Sequence, residues 1–280
     1  MLKRRKRIRT RSKDMVYLSV KFMEIRVINK VIQIAKEAGG IAREGFGKNF
    51  LIETKGSLTN LVTEYDKKSE ETIIHFIRKE FPTHSILAEE SGKQEHLSEY
   101  IWFIDPIDGT TNYAHGLPIF SVSIGVQKNN EMIYGVVYDV MRDAVYSTEK
   151  DSGAFCNGRK LSVSTNEDLR KSVLVTGFPY NVSENPDHAV ERFTAFLKAS
   201  RAVRRLGSAA IDMCYVAEGV FDGFWEVALN PWDMAAGKLL IEEAGGIVTN
   251  FAGEKMDIYS KQILASNRLV HKKMIEMLKV

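Results

Sequence analysis

Two aspartates spaced three positions apart are the residues of this sequence best placed to do chemistry. Asp105 and Asp108 lie in the run WFIDPIDGTTN, where an apolar stretch leads into a turn. Pro106 holds its own φ at about −65°, so the turn is stiff and both carboxylates can point the same way. The carbonyl of Ile107 lies between them as a third oxygen, and the amides that follow suit an anion if they open a helix. Hard oxygen ligands beside an anion site favour Mg²⁺.

The two aspartates also have a simpler interpretation, since Asp-Gly pairs commonly form turns without any metal. Further acids shift the balance. Glu89 ends the apolar segment Ile86–Ala88, and Asp233 follows Pro231-Trp232 at a helix start, where an ordinary N-cap is the alternative. Four such carboxylates would repel one another if they clustered without cations. Bound divalent ions remove that cost and activate water for phosphoryl transfer, which then needs no catalytic histidine or cysteine.

The elements that position these acids follow from the apolar periodicity. A helix begins near Glu24, and we expect Gly39-Gly40 to interrupt it near its end. Thr63 and Asp66 form the pattern of a capping box, which predicts a second helix that ends at Pro82. A strand is predicted at Ile101–Ile104, and it stops at the acids. Ser121–Gln127 and Met132–Asp139 are predicted to form a hairpin around Asn129-Asn130, and a further strand is predicted at Ala144–Thr148.

The pattern changes after Asp168, where strands and helices alternate. Strands are predicted at Val173–Thr176, Ile247–Phe251 and Ile263–Ser266. Helices are predicted around Ala189–Lys198, beginning near Ser208, at Asp233–Glu243 and at the end of the chain. We therefore predict an α+β half over residues 23–168 that carries most metal ligands, and an α/β half over residues 169–280 that completes the site. Without a clear linker, the halves should share a large interface.

Composition narrows the class of protein. The chain has 280 residues, of which 44% are hydrophobic and 27% charged, a globular balance that excludes a disordered or collagen-like chain. No run approaches the roughly 20 apolar residues of a membrane-spanning helix. Two cysteines exclude a disulfide scaffold, and together with the lack of a secretory signal they predict a cytoplasmic protein.

The charge is unevenly placed. Residues 1–13 hold eight Lys or Arg and no acid, so the other 267 residues carry a formal charge of −5 although the whole chain carries +3. We expect residues 1–22 to be a basic, disordered tail, because blocks of like charge repel. Such a tail could also contact the phosphates of a nucleic acid. An alternative hypothesis is therefore that the protein is not primarily an enzyme but binds RNA, or a partner bound to RNA, through this tail.

Three segments resemble the signature motifs of the inositol monophosphatase family. They are EES at Glu89, WFIDPIDGTTN at Trp102–Asn112 and PWDMAAG at Pro231–Gly237, and the similarity runs from about Ile25 to Lys272. The resemblance implies a layered α-β-α-β-α sandwich of the inositol monophosphatase and fructose-1,6-bisphosphatase type, with the site between its halves. It further implies Mg²⁺ dependence with two or three ions, a homodimer, and inhibition by lithium.

The resemblance also implies a role for each acid. The first metal would take Glu89, Asp105 and the carbonyl of Ile107, and the second would take Asp105, Asp108 and Asp233. A third ion would lie near Glu89 and the loop that begins at Lys55.

The remaining implied roles concern the water, the phosphate and the substrate. Thr110, with Asp66 behind it, would orient the attacking water. The amides of Gly109 and Thr110 would hold the phosphate. Arg204 would approach the substrate, although the adjacent Arg205 leaves that choice open. The substrate's hydroxyls would meet Asp108, Gly207, Ser208, Ala209, Glu226 and Asp233.

The leaving alcohol is less sharply defined than the reaction. Thr111-Asn112 resembles the inositol monophosphatase branch, and Glu226 offers an acceptor for a polyol hydroxyl. These features favour hydrolysis of inositol monophosphate to myo-inositol and phosphate. The alternative is fructose 1,6-bisphosphate or both esters, since the Arg204-Arg205 pair suits a second phosphate.

Overall fold

The structure is a computed structural model that describes residues 27–55 and 59–279. The predicted basic tail and loop residues 56–58 lie outside the described residues. The first elements along the chain are α1 (27–45), β1 (Ile52–Thr54), β2 (Leu61–Thr63), α2 (Glu64–Glu80), β3 (Ser85–Ala88), β4 (Gly92–Gln94), β5 (Tyr100–Asp108), α3 (Thr110–Ala114), β6 (Ser121–Lys128), β7 (Glu131–Asp139), β8 (Ala144–Glu149), β9 (Gly153–Cys156) and β10 (Arg159–Lys160).

The second part of the described chain alternates strands and helices, as its sequence predicts. Short 3₁₀ turns lie at Leu169–Lys171, Val182–Glu184 and Pro186–His188. The longer elements are β11 (Val173–Thr176), α4 (Ala189–Ala199), β12 (Ala202–Arg204), α5 (Ala209–Ala217), β13 (Gly223–Val227), α6 (Pro231–Glu243), β14 (Ile247–Thr249), β15 (Gln262–Ser266) and α7 (His271–Leu278).

Two large sheets organise the described residues. The first has eight strands in the order β10-β9-β8-β7-β6-β5-β3-β4, antiparallel throughout except for the parallel pair β3 and β5. The second has five strands in the order β12-β11-β13-β15-β14, with β11 parallel to both of its neighbours. The strands β1 and β2 form a separate small pair.

Helices cover both faces of each sheet. On one face of the large sheet, α1 and α2 contribute residues such as Ile34 and Ile73 to a core shared with Trp102. Between the sheets, α5 and α6 join both of them in one apolar cluster. On the outer face of the smaller sheet, α4 and α7 pack through Phe196 and Met274. This α-β-α-β-α order is the predicted sandwich, so the fold prediction is confirmed.

The central helix α6 lies unusually close to the large sheet. A Cβ on Gly135 of β7 would come within 2.9 Å of the backbone oxygen of Ala236. Glycine at this position, and the small residues of the helix, allow the backbones to approach. Since α6 begins beside the acids of β5, this close packing also fixes where Asp233 lies.

The first helix differs from the expectation, because α1 continues through Gly39 and Gly40 to residue 45. A Cβ at Gly39 would overlap the ring of Tyr138. Glycine there serves close helix-to-sheet packing and does not mark a break, and burial of that face outweighs the weak helix propensity of glycine.

Other local predictions are confirmed. Thr63 and Asp66 form the capping box of α2, which ends at Glu80 just before Pro82. Asn129 and Asn130 both take positive φ, as the tight turn between β6 and β7 requires. None of the helices in the described part of the chain combines the length and apolar character needed to cross a lipid bilayer.

Strand β5 is longer than expected and carries the acids within it. It was predicted to stop before Asp105, but it pairs with β6 as far as Asp108, with a shift in register between the two aspartates. Such a bulge bends a strand and redirects its side chains. The irregularity coincides with Pro106, which has no backbone N–H to donate to the ladder.

Candidate active site

A cavity of about 600 Å³ lies where the ends of strands from both sheets meet the N-terminal ends of α5 and α6. It collects residues that are distant in sequence, from the end of β3 to the first turn of α6. The predicted site residues that line it are Glu89, Asp105, Ile107, Asp108, Gly109, Thr110, Gly207, Ser208, Ala209, Glu226 and Asp233.

Three predicted residues lie outside the cavity lining. Asp66 sits behind Thr110, and Lys55 contacts Glu89. Arg204 is an exposed residue at the end of β12 whose guanidinium donates to the carbonyl of Val203. Its neighbour Arg205 lines the cavity instead. The chain leaves the strand at this point and carries the side chain after Arg204 to the cavity, so the approach of Arg204 to the substrate stays a prediction that the cavity lining does not support.

Asp66 and Thr110 form a buried hydrogen-bonded pair. Asp66 accepts from the backbone N–H and hydroxyl of Thr63 and, at 3.1 Å, from the hydroxyl of Thr110. Burial raises the pKa of Asp66 to about 6 against the lowering effect of the bonds from Thr63. The Thr110 hydroxyl also lies 3.0 Å from the carbonyl of Ile107. It has one proton to donate, and its lone pairs remain able to accept a proton from a water.

Asp105 and Asp233 both line the cavity, and a hydrogen bond joins their side chains. Asp105 is buried, whereas Asp233 is partly buried. Burial, followed by the charge of Glu89, raises the pKa of each well above its usual range. Asp105 accepts from the N–H of Ile107 at 3.1 Å. Asp233 is the third residue of α6 and accepts from the N–H of Asn230 at 2.7 Å, so Asn230 is the N-cap and Asp233 the far partner of a capping box.

Asp108 is bound by the N-terminus of α5. Its carboxylate accepts from the hydroxyl of Ser208 and from the amides of Ala209 at 3.1 Å and Ala210 at 2.9 Å. Burial raises the pKa of Asp108 to about 6, although these three bonds act to lower it. The turn that was expected to meet substrate hydroxyls therefore holds a carboxylate of the site, at a helix end that favours negative charge.

Glu89 is positioned by two neighbours. The ammonium of Lys55 lies 2.9 Å from its carboxylate and also bonds Glu90. Burial, and then the charge of Glu89, raises the pKa of Glu90 to about 7. Behind this turn, the buried carboxylate of Glu70 accepts from the amides of Glu90 and Ser91, both at 2.8 Å. Glu70 fixes the turn that carries Glu89.

Sequence reasoning missed Glu70, although a signal was present. Glu70 shares the buried face of α2 with Ile73 and Ile77. An acid on the apolar face of an amphipathic helix is rarely buried without a partner. The pattern of the helix thus indicates that Glu70 must bond something on the core side.

Glu226 projects from β13 into the cavity and is almost fully buried. The amide of Gly177, at the end of β11, donates to it. A Cβ on Gly177 would overlap this carboxylate, so glycine is required for the contact. Burial, and then the charge of Asp233, raises the pKa of Glu226 to about 8 against the opposing charge of Arg205. Gly177 had no recognisable motif in the sequence.

The donor chemistry around the cavity suits a hard divalent cation. Four carboxylates and the Ile107 carbonyl are all oxygen donors, which Mg²⁺ prefers. Their mutual burial raises pKa values, a cost that a cation would offset. Within residues 27–55 and 59–279, no three His, Cys, Asp or Glu side chains form a ready metal cluster. The carboxylates are instead engaged by Lys55, by the N-terminus of α5 and by Asn230.

Comparisons with known proteins agree with this geometry. The sequence profile described as the inositol monophosphatase family matches residues 24–279. An inositol-1-monophosphatase from Synechocystis is 42% identical over 234 residues, covering 83% of this chain and 82% of that protein. A protein from Aquifex aeolicus named fructose-1,6-bisphosphatase/inositol-1-monophosphatase is also 42% identical, over 86% of this chain and 91% of its own.

A solved structure is similar throughout its length. The extragenic suppressor protein suhB from Bartonella henselae superposes with a TM-score of 0.86 at 35% identity, covering 91% of this chain and 98% of that one. Sequence and structure thus match over nearly all of the described residues. The chain belongs to the inositol monophosphatase family and is a phosphatase.

Proposed function

We propose that this protein is a Mg²⁺-dependent phosphomonoesterase that hydrolyses inositol monophosphate to myo-inositol and phosphate. The observation that carries the proposal is the convergence of Glu89, Asp105, Asp108 and Asp233 on one cavity that also contains Glu226. The family is generally metal-dependent. The four acids would hold the ions, and the buried Glu226 would face the alcohol.

Each residue has a defined task in the proposed reaction. Bound Mg²⁺ would supply positive charge that offsets the carboxylates and polarises water and phosphate. Asp66 holds the hydroxyl of Thr110, which orients a water toward phosphorus. The amides of Gly109 and Thr110 hold the phosphate. As the water oxygen bonds to phosphorus it gives up a proton, the bond between phosphorus and the ester oxygen breaks, and the leaving alcohol oxygen takes up a proton. Glu226 accepts from a hydroxyl of that alcohol.

Fructose 1,6-bisphosphate is the second candidate substrate. Arg205 lines the cavity and makes no ion pair within 4.0 Å among the described residues, so its guanidinium is available for a second phosphate. The name of the Aquifex aeolicus relative includes this activity. Inositol monophosphate remains the first choice, because two buried carboxylates, Asp212 and Glu226, share the wall with that one cation.

A panel of phosphate esters tests the proposal. The purified chain would be assayed with Mg²⁺ on inositol 1-phosphate, fructose 1,6-bisphosphate and 3′-phosphoadenosine 5′-phosphate, with Asp105→Asn as the inactive control. We expect the highest kcat/KM on inositol 1-phosphate. A preference for the bisphosphate would select the second candidate, and turnover that is unaffected by Asp105→Asn would contradict the site itself.

Further properties of the chain remain proposals that rest on the sequence. We expect the protein to be a homodimer, which light scattering of the purified protein would test. We also expect it to be cytoplasmic and to divide into two halves at residue 168. The basic tail lies outside the described residues. Deletion of residues 1–22 should leave phosphatase turnover intact, and a loss of nucleic-acid retention in the same variant would assign the tail a binding role.

A further inference from the structure

The buried face of α2 carries three polar side chains in one helical stripe. Asp66, Ser69 and Glu70 are spaced at i, i+3 and i+4, and at most 2% of the surface of each residue is exposed. The same stripe continues with the apolar residues Ile73 and Ile77. Apolar side chains would be enough to pack this face against the core, so the polar part of the stripe needs a separate explanation.

Two of these side chains bond the end of β5 and the start of α3. Asp66 accepts from the hydroxyl of Thr110 at 3.1 Å, and Ser69 donates to the carbonyl of Pro106 at 3.3 Å. Proline has no N–H, so this carbonyl is the one backbone group that Pro106 can use in a hydrogen bond. It lies where the register of the sheet shifts between the two aspartates of β5. Ser69 therefore fixes the strand at the point where the regular ladder is interrupted.

Glu70 bonds the turn that carries Glu89. Its two carboxylate oxygens each accept from one of two consecutive amides, those of Glu90 and Ser91, both at 2.8 Å. On the strand side, the amide of Glu89 donates to the carbonyl of Ile104 in β5 at 3.1 Å. The turn is thus held both by α2 and by the strand that carries the two aspartates. Two parallel bonds to one carboxylate restrict the orientation of the turn more than a single bond would.

We propose that Ser69 and Glu70 are positioning residues for the proposed metal ligands. Through the backbone segments that they bond, they hold Glu89, Asp105 and Asp108 in the arrangement that Mg²⁺ requires. Neither of the two side chains lines the cavity, so both act from behind it. The inference rests on the proposed Mg²⁺-dependent function and extends it to the support of the site. Mg²⁺ demands nearly octahedral coordination at short distances, so a small displacement of a segment that carries a ligand weakens its binding.

The first test compares Glu70→Gln with Glu243→Gln. Glutamine keeps one accepting oxygen, but its NH₂ group then faces the second amide, so one of the two bonds is lost. The partly buried Glu243 is the matched control, because it also accepts from two amides of a hairpin turn, those of Asp151 and Gly153, both at 2.8 Å and away from the cavity.

Calorimetric titration with Mg²⁺ alone, without substrate, measures the affinity for the metal. The Kd for Mg²⁺ should rise about tenfold or more in Glu70→Gln, which is the usual range for a partner behind a metal ligand. In Glu243→Gln it should stay within about twofold of wild type. Steady-state kinetics give the second readout. The Mg²⁺ concentration for half-maximal turnover of inositol 1-phosphate should rise by the same factor as the Kd. At saturating Mg²⁺, kcat should stay within about threefold of wild type, because the bound ions restore the arrangement.

Ser69→Ala is an independent variant that removes a single hydroxyl, so it tests the proposal even if Glu70→Gln does not fold. It should raise the Kd for Mg²⁺ by about threefold or more. Ser172→Ala is its control, since Ser172 is equally buried and donates to the carbonyl of Asp168 at 3.2 Å, outside the cavity lining. That control should bind Mg²⁺ as the wild type does.

The outcomes separate this inference from the proposed function. An unchanged affinity for Mg²⁺ in folded Glu70→Gln and Ser69→Ala, an equal loss in Glu243→Gln, or a fall in kcat alone would overturn the positioning role. In each of these cases, Mg²⁺-dependent turnover by the wild type would leave the proposed function intact. A wild type that neither binds Mg²⁺ nor hydrolyses a phosphate ester would refute both.

Discussion

The hydroxyl of Thr110 gives the sharpest test of the proposed chemistry, because two acceptors surround its single proton. Asp66 lies at 3.1 Å and the carbonyl of Ile107 at 3.0 Å. Thr110→Val keeps the branched shape and removes only the oxygen. If the hydroxyl orients the attacking water, kcat should fall about 10²-fold or more, at the low end of the range for groups that act on a proton in the transition state. KM should stay within about twofold, because the proposed phosphate ligands are backbone amides, which the substitution keeps.

The same substitution has a separate cost in stability. Asp66 loses one of its donors while staying buried, which should cost about 1–2 kcal/mol in the free energy of unfolding. Phosphate release at saturating Mg²⁺ measures kcat and KM, and urea denaturation measures the stability. The two effects are separable because assays below the unfolding transition report on folded enzyme only.

Two further variants make the result interpretable. Thr110→Ser retains the hydroxyl and should recover most of kcat. Thr148→Val is the matched control, since Thr148 is equally buried but donates to the carbonyl of Gly153 at 3.1 Å, outside the cavity lining. It should lose stability without losing kcat. The reasoning is refuted if Thr110→Val keeps kcat within about threefold of wild type, or if Thr110→Ser is as slow as Thr110→Val.

Three other predictions follow from the structure. Gly177→Ala should displace the carboxylate of Glu226 and raise KM for inositol 1-phosphate about tenfold, with turnover of phenyl phosphate as the unaffected control. Chelation of divalent cations should abolish turnover, and added Mg²⁺ should restore it. Asp105→Asn should have a kcat at least about 10²-fold below that of wild type at any Mg²⁺ concentration. Activity that survives chelation would contradict the proposed cofactor. Burial, and then the charge of Arg268, lowers the pKa of His271 to about 4, below its usual 6.5. As pH decreases, His271 therefore takes up a proton in the unfolded chain before it does so in the folded protein. The free energy of unfolding should fall by on the order of 2 kcal/mol between about pH 6.5 and about pH 4. In urea denaturation, His271→Gln should flatten this dependence on pH, and an unchanged dependence would contradict the assignment.

The sequence predicts those parts of the fold in which local chemistry and tertiary structure agree. Asn129-Asn130 favours positive φ, and a tight hairpin forms there. Thr63 and Asp66 have the capping spacing, and a helix begins there. In both cases the residues that specify the element lie within a few positions of one another, so no knowledge of the tertiary contacts is needed.

Prediction fails where a distant contact decides the local structure. Gly39 has the features of a helix break, but the helix continues because the ring of Tyr138, about a hundred positions later, requires a residue without a Cβ. Arg204 and Arg205 are equivalent in sequence, and only the path of the chain after β12 carries Arg205 to the cavity. A one-residue difference of this kind cannot be resolved from composition or periodicity.

The site residues divide in the same way. The acids at the ends of apolar segments, such as Glu89 and Asp105, are recognisable because their surroundings predict burial and their charge opposes it. Asp212 gives the same signal, an acid in the nearly continuous apolar run AAIDMCYVA. Gly177 gives none, because its importance lies only in the approach of Glu226. A charged residue within an apolar segment can thus be recognised from the sequence. A glycine whose role is to leave room for a neighbouring side chain cannot.

The arrangement of the middle helices explains how so many acids can be buried before any cation binds. The N-terminus of α5 donates two amides to Asp108, and the N-terminal turn of α6 places Asp233 where it accepts from Asn230. Helix N-termini carry partial positive charge, so each helix compensates one carboxylate. The charge of Glu89 is compensated by the ammonium of Lys55. Among the described residues, Asp105 is bonded by the amide of Ile107 and the side chain of Asp233. Asp105 is thus the least compensated of the four acids, so Asp105→Asn should raise Tm in the absence of added metal while removing most of the activity.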